Sequence, residues 1–377
     1  MPLSKADLIA PLDVREAPGH AMGKVAELWK PVAGTNKVMC TACARYCKIG
    51  EGQVGLCGIR GVHDGKLWLY VYGRVITGHV DPIEKKPVMH FRPGSKIFSV
   101  ATTGCNWLCR YCQNFDISQR RKVEGIEVEP QDVVRMTLEQ GCQGLAYTYN
   151  QPTIFIEFAR DIGMAARKVG LINIFVSNGY DTPDVVEQFP KFLDAITVDF
   201  KGSGETEFVR KYIGIPNADP IFDTLQRIRD TKATHIEITD LIVPQVGDSL
   251  DAARKLSKFV HDELGPDTPI HFLRFHPDYK MMEFPWTPVE TLEKHCAVAK
   301  EEGLRYVYIG NVGGHRLEHT YCPGCGAIAI RRYQFDITGW YLDKHNRCKK
   351  CGTQLPIIGG LEKTFKDDRF YSVLHHR

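Results

Sequence analysis

No apolar run in this sequence approaches the roughly 20 residues that a bilayer-spanning helix needs, so no membrane partner is expected. The opening stretch, MPLSKADLIAPLDVREAPGH, lacks the apolar core of a signal peptide and carries acids and prolines instead. Neither sign of charge dominates: 48 Lys+Arg stand against 45 Asp+Glu, a net charge of +3 over 377 residues. That balance weighs against a dedicated nucleic-acid binder. Internal repeats and low-complexity tracts are absent, which excludes solenoids and disordered arrays. With 43% hydrophobic and 25% charged residues the composition is that of a globular protein, and a cytoplasmic location is expected.

Cysteine is what the sequence has in plenty, with thirteen. A disulfide scaffold would be short and loop-rich; in a long chain from a reducing compartment, clustered cysteines are more often metal ligands. Eleven fall into three groups: Cys40, Cys43, Cys47 and Cys57; Cys105, Cys109 and Cys112; and Cys322, Cys325, Cys348 and Cys351. Cys142 and Cys296 are left over and read as buried, unreactive thiols.

The pattern divides the chain into an N-terminal arm and four-cysteine module (1–95), a core (96–312), a zinc-ribbon-like module (313–360) and a charged tail (361–377). A short helix is expected over Met22–Trp29. Pro82, Pro87 and Pro93 mark DPIEKKPVMHFRPGS as a loop. From residue 96, strand-like runs at 97–101, 145–149, 172–176, 196–200, 236–243, 271–275 and 306–309 alternate with helical stripes. One stripe carries Phe155, Phe158, Ile162, Ala165 and Val169, and Thr287–Glu290 reads as a capping box. The fold class is α/β, a partial (β/α)6-type TIM barrel with a small Cys-rich N-terminal module and a C-terminal zinc ribbon; a doubly wound sheet stays open. Either architecture places its chemistry at the C-terminal ends of strands, where the polar candidates fall.

The central triplet lies in TTGCNWLCRYCQNF, a C-x3-C-x2-C spacing. Most four-iron clusters have four cysteine ligands, so three thiolates on one loop leave one iron open. A structural zinc would ask for a fourth ligand. This loop, with Tyr111 before the third cysteine, resembles the hallmark of the radical SAM superfamily. The resemblance implies a 4Fe–4S cluster whose open iron binds S-adenosylmethionine (SAM). One-electron cleavage then gives a 5′-deoxyadenosyl radical that abstracts hydrogen from a substrate. Residues 36 to 355 are similar to the AmmeMemoRadiSam subfamily, related to the pyruvate formate-lyase (glycyl-radical enzyme) activating enzymes. The strings that carry this are VYGRVITGHVDPIEKKPVMHFRPGS, GCNWLCRYCQN, AYTYNQPT, FVSNGY, VDFKG, RFHPDYKM and VYIGNV. The resemblance implies an electron donor such as flavodoxin or ferredoxin, a protein substrate, and association with AMMECR-like and Memo-like proteins.

By the same resemblance, Asn150 and Gln151 stand where activating enzymes contact the SAM ammonium, with glutamine in place of the expected glutamate. Ser177 and Asn178, with Asp199 and Lys201, match loops that touch ribose and the methionyl carboxylate, and Lys201 is the natural carboxylate partner. His276 matches a histidine near ribose or adenine. Each has a plainer reading: Asn178-Gly179 is also a common turn, Asp199 and Lys201 also suit a strand end, and His276 suits a loop.

Cys322-x2-Cys325 and Cys348-x2-Cys351, with glycine after each pair and a hairpin between, read as a zinc ribbon; rubredoxin-like iron is the alternative. Cys40, Cys43, Cys47 and Cys57 suit zinc or an auxiliary Fe–S cluster equally. Three functions remain: radical modification of a protein residue such as glycine, radical chemistry on a small molecule or RNA base, and a non-catalytic zinc-binding adaptor. The adaptor leaves the three-ligand loop without a purpose.

Overall fold

The computed structural model describes residues 23–362 and 370–375. Its main sheet has nine strands: β1 (Thr77–Pro82), β2 (Lys96–Ala101), β3 (Gly144–Tyr147), β4 (Ile172–Ser177), β5 (Ala195–Lys201), β6 (His235–Ile242), β7 (Ile270–Arg274), β8 (Val307–Gly310) and β9 (Tyr371–His375). Strands β2 to β8 are parallel, and each pairs with its neighbour in sequence. A doubly wound sheet reverses its strand order; this one does not. It has the order of a (β/α) barrel that has not closed, with β8 at one edge and antiparallel β1 and β9 at the other. Both faces are covered, which is why the strands read as continuous apolar runs rather than alternating ones; β3 is buried along its whole length.

The crossover helices are α1 (Pro130–Glu139), α2 (Ile156–Lys168), α3 (Asp219–Thr231), α4 (Leu250–Phe259) and α5 (Val289–Glu301). Phe158, Ile162 and Ala166 bury the inner stripe of α2, whereas Val169, expected on that face, lies past the helix end and is exposed. Helix α3 is not among the expected elements, although Pro220 in its first turn and the spacing of Ile221, Leu225 and Ile228 are signals for it. Among the described residues, no helix is long and apolar enough to cross a membrane.

Two expectations fail. Residues 23–29 form no helix: Lys24–Val25 is a strand paired with Leu69 and Trp68. Gly23, at φ +83°, lies so close to the Leu69 carbonyl that a Cβ would be 2.2 Å from it. Tertiary pairing overrides the local pattern. At α5, Thr287 makes no capping box, because its hydroxyl donates to Ile242 O at 2.7 Å and accepts from Phe275 N at 2.9 Å. In the expected tail, Tyr371–His375 is the strand β9, laid along β1; residues 363–369 and 376–377 lie outside the described part.

The expected hairpin is present as Ile328–Tyr333 paired with Asp336–Trp340. A buried polar network docks it on the sheet. Glu237 on β6 accepts from His90 N (2.7 Å), His235 Nε2 (3.0 Å) and His271 Nε2 (2.7 Å). His90 Nε2 meets Tyr308 Oη at 2.7 Å, which meets Thr320 Oγ1 at 2.8 Å, and Arg332 of the hairpin donates to the same Thr320 oxygen at 2.6 Å.

Burial alone would raise the Glu237 carboxyl, but its histidine partners hold it well below the ordinary range; burial drags His90 from 6.5 down to about 3. In both cases the unfolded chain takes up protons first as pH falls, so stability is present at neutral pH and lost on acidification. The urea midpoint should therefore fall steadily from about pH 6.5 to about pH 3. Glu237→Gln should cost about 1–3 kcal/mol at pH 7 and remove the part of that dependence that lies below pH 4.5, where the carboxylate itself takes up a proton, leaving the part due to His90. An unchanged pH profile would remove the network from the account of stability.

Candidate functional site

The C-terminal ends of β2 to β8 gather on one rim around a cavity of about 580 Å³. The sequence candidates meet there. Cys105, Cys109, Tyr111 and Cys112 come from the loop after β2, Asn150 and Gln151 follow β3, and Ser177 ends β4 with Asn178 after it. Asp199 and Lys201 close β5, and His276 follows β7.

The cysteine loop owes its shape to backbone bonds. Gly104, at φ +86°, turns the chain out of β2, and its N–H donates to Ile117 O at 3.0 Å. Leu108 N and Arg110 N donate to Ile213 O (3.0 Å) and Tyr212 O (2.9 Å). The Tyr111 ring stacks on Phe208 at 6.0 Å. Burial pushes all three thiols up, Cys105 to about 11. Sulfurs so placed persist as thiolates only against a bound cation.

A lattice of side-chain amides ties this loop to the strand ends. Asn150 Nδ2 donates to Thr102 O (2.8 Å) and Gly104 O (2.9 Å). Asn178 Nδ2 donates to Asn106 Oδ1 at 2.8 Å. Gln151 is fully committed inside the protein: its Nε2 donates to Thr153 Oγ1 (2.7 Å) and Ser177 Oγ (2.8 Å), and its Oε1 accepts from Asn178 N (2.7 Å). The acceptor left over is its neighbour, Asn150 Oδ1, buried and without a partner. An ammonium group in the cavity fits that oxygen better than it fits Gln151.

Lys201 Nζ lies 2.8 Å from Asp199 Oδ2, and Asp199 Oδ1 accepts from the Thr239 hydroxyl. The ammonium also lowers the proton affinity of Cys109 and Cys112, which places its charge beside the sulfurs. With three donors it keeps capacity for an anionic ligand. His276 sits at the mouth, half-exposed, with Nε2 2.6 Å from Gln113 Nε2 and Nδ1 3.2 Å from Asp278 Oδ2. The donor set suits the group the sequence implies: the sulfurs of buried Cys105 and half-buried Cys109 and Cys112, an unpartnered acceptor and a cation line a single cavity.

Sequence reasoning misses the far wall of the cavity. Glu84, Lys85, Lys86 and Met89 supply it from the loop after β1, and Glu318, Gln334 and Phe335 from the hairpin module. Burial pushes Glu84 up to about 7 and brings Lys86 down to about 8 against the pull of Asp81. Asp81 accepts from Lys85 and Lys86 (2.7 Å each), Ser99 (2.8 Å) and Tyr149 Oη (2.6 Å). The prolines mark this segment as a loop; its paired charges are the available signal for more.

Of the outer cysteines, Cys322 and Cys351 have sulfurs 3.5 Å apart, and Cys325 and Cys348 3.8 Å apart. A tetrahedral ion with Zn–S bonds of about 2.3 Å needs sulfurs about 3.8 Å apart, so these four suit one ion. Cys40, Cys43, Cys47 and Cys57 line a second, closed pocket against the cysteine loop. Cys142 and Cys296 are buried elsewhere, Cys296 on the inner face of α5.

Residues 99–260, which span β2 to α4 and hold the whole cysteine loop, match the model of the radical SAM superfamily. An uncharacterized protein of Methanocaldococcus jannaschii is 42% identical over 326 residues, 86% of this chain and 96% of its own length. Among solved structures, a domain of pyruvate-formate lyase-activating enzyme from Bacteroides vulgatus aligns at TM-score 0.39 and 15% identity, over 45% of this chain and 99% of its own. SuiB of Streptococcus suis bound to S-adenosylmethionine aligns at 0.47 and 11%, over 64% and 56%. The family match falls on the cysteine loop and on β2 to β6 of the strands that build the cavity, and this chain belongs to the radical SAM superfamily.

Proposed function

We propose that this chain is a SAM-cleaving radical enzyme that takes hydrogen from a polar substrate of metabolite size. The supporting observation is that three sulfurs, the free Asn150 oxygen and the Lys201 ammonium converge on one cavity. When bound, a 4Fe–4S cluster held by Cys105, Cys109 and Cys112 supplies the electron that cleaves SAM to methionine and a 5′-deoxyadenosyl radical. The protein binds and orients. Asn150 Oδ1 accepts from the SAM ammonium, Lys201 pairs with its carboxylate, and Asn178 with Ser177 fixes the strand-end loop against which the nucleoside lies.

The substrate occupies the far wall. Charges of both signs line it, from Glu84 and Glu318 to Lys85 and Lys86, together with Gln334 and Phe335 of the hairpin module. Such a wall favours a polar molecule with both acidic and basic groups over an extended polypeptide. The protein glycine implied by the activating-enzyme resemblance becomes the competing outcome of the test. The four ribbon cysteines hold a structural zinc, which stiffens the module that carries Gln334 and Phe335 to the cavity.

Reconstituted without oxygen and given a reductant and SAM, the protein should release 5′-deoxyadenosine. Cys109→Ala should abolish release. Lys201→Gln should weaken SAM binding by about ten- to a hundredfold, the loss of one charge-assisted bond, with the cluster's absorption unchanged. No release from the intact protein would refute the reading. The substrate is tested by fractionating a cell extract by size: the small-molecule fraction should raise the rate, and stimulation by the macromolecular fraction alone would favour a protein target. One zinc per chain should survive replacement of Cys105, Cys109 and Cys112 by alanine, and Cys348→Ala should lose it together with several degrees of thermal midpoint; retention of zinc in Cys348→Ala would disprove that assignment.

A further inference from the structure

The N-terminal cysteines form a site that the chemistry above does not use. Cys40, Cys43, Cys47 and Cys57 line one closed pocket together with Arg45 and Asn106. Their spacing differs in kind from that of the ribbon. The ribbon sulfurs fall within 4.8 Å of one another, as ligands of one ion must, whereas no three of the N-terminal sulfurs do. Nor do Cys105, Cys109 and Cys112, whose family implies a multi-iron cluster. Thiolates bound to different irons of a cluster stand further apart than thiolates on a single ion, so the N-terminal set follows the cluster pattern.

Two unsatisfied donors point the same way. Arg45 Nη2 and Asn106 Nδ2 are buried without a partner, and both residues line this pocket. Asn106 is itself only 1% exposed. The sulfides and thiolates of a cluster accept N–H bonds, and such bonds tune cluster potential. The pocket also abuts the central loop. A Cβ on Gly104 would stand 2.3 Å from the Cys57 carbonyl, so the backbones of the two cysteine loops touch. Asn106 follows Cys105 directly, and its Oδ1 lies 3.8 Å from Cys105 Sγ. One side chain therefore lies beside a sulfur of the central set and lines the pocket of the other.

We propose that Cys40, Cys43, Cys47 and Cys57 hold a second, fully cysteine-ligated Fe–S cluster that relays electrons to the central one. A low-potential one-electron protein donor reduces the outer cluster, which passes the same electron to the inner cluster and returns to its oxidised state. The relay rests on the SAM-cleaving reading; the existence of the cluster does not.

The full-length protein, reconstituted without oxygen, should carry about eight iron and eight sulfide per chain, with one zinc. Replacing Cys105, Cys109 and Cys112 by alanine should leave about four of each and a paramagnetic resonance signal, once reduced, that SAM does not alter. Cys40→Ala/Cys57→Ala should keep the SAM-sensitive signal and lose its reduction by a flavodoxin-class donor, while small-molecule reductants still work. Asn106→Leu, which leaves every cysteine in place, should shift the potential of the SAM-insensitive signal. About four iron with two zincs in the intact protein would overturn the cluster, whether or not any variant folds. A second cluster whose loss leaves donor-driven reduction untouched would overturn the relay alone.

Discussion

Four buried amides, on Asn106, Asn150, Gln151 and Asn178, bind one another and the backbone around them, and the position of the cysteine loop on the rim depends on those bonds. A buried donor or acceptor left unpaired costs about 1–3 kcal/mol, so a lattice of this kind is unforgiving. Here it locks the loop after β2 to the ends of β3 and β4. Two of its polar atoms stay unpaired: Asn150 Oδ1 belongs to a residue lining the main cavity, Asn106 Nδ2 to one lining the N-terminal cysteine pocket. The scaffold that holds the cysteine loop thus also leaves an acceptor on a residue of one pocket and a donor on a residue of the other.

The opposite wall is built on a different principle. Behind it, buried carboxylates are held by partners: Glu237 by its histidines, and Asp81 by buried Lys86 and half-exposed Lys85. Breaking such a pair strands a charge, so these groups hold their positions firmly. The Glu237 network ties the loop after β1 and the hairpin module to β6, β7 and β8, which places two distant parts of the sequence over one cavity.

What is legible in the sequence follows from this physics. The seven parallel strands can be read because burial on both faces leaves uninterrupted apolar runs, and the ribbon because its ligands are local pairs. The order of strands within the sheet cannot be read, since periodicity says nothing about which strand lies beside which. Motif and strand-end position find the site residues, but not the part Gln151 plays, because its partners, Ser177 and the Asn178 amide, come from another strand end. The far wall escapes because Glu84, Lys85 and Lys86 look like the polar residues of any loop. Residues 23–29 mislead because a pairing with residues some forty positions away decides their conformation, and the local sequence carries no trace of it.

The edge strand β9 bears on how the molecule comes together. It lies against β1 across nearly three hundred residues of chain: the Thr77 hydroxyl donates to the Leu374 carbonyl at a separation of 297 positions. Until that segment has been synthesised, the rim of a nine-stranded sheet offers its bare amides and carbonyls to any passing strand. Such an edge is a template for self-association, and a polypeptide ending before Tyr371 would leave along β1 the open edge that the few residues of β9 otherwise cover.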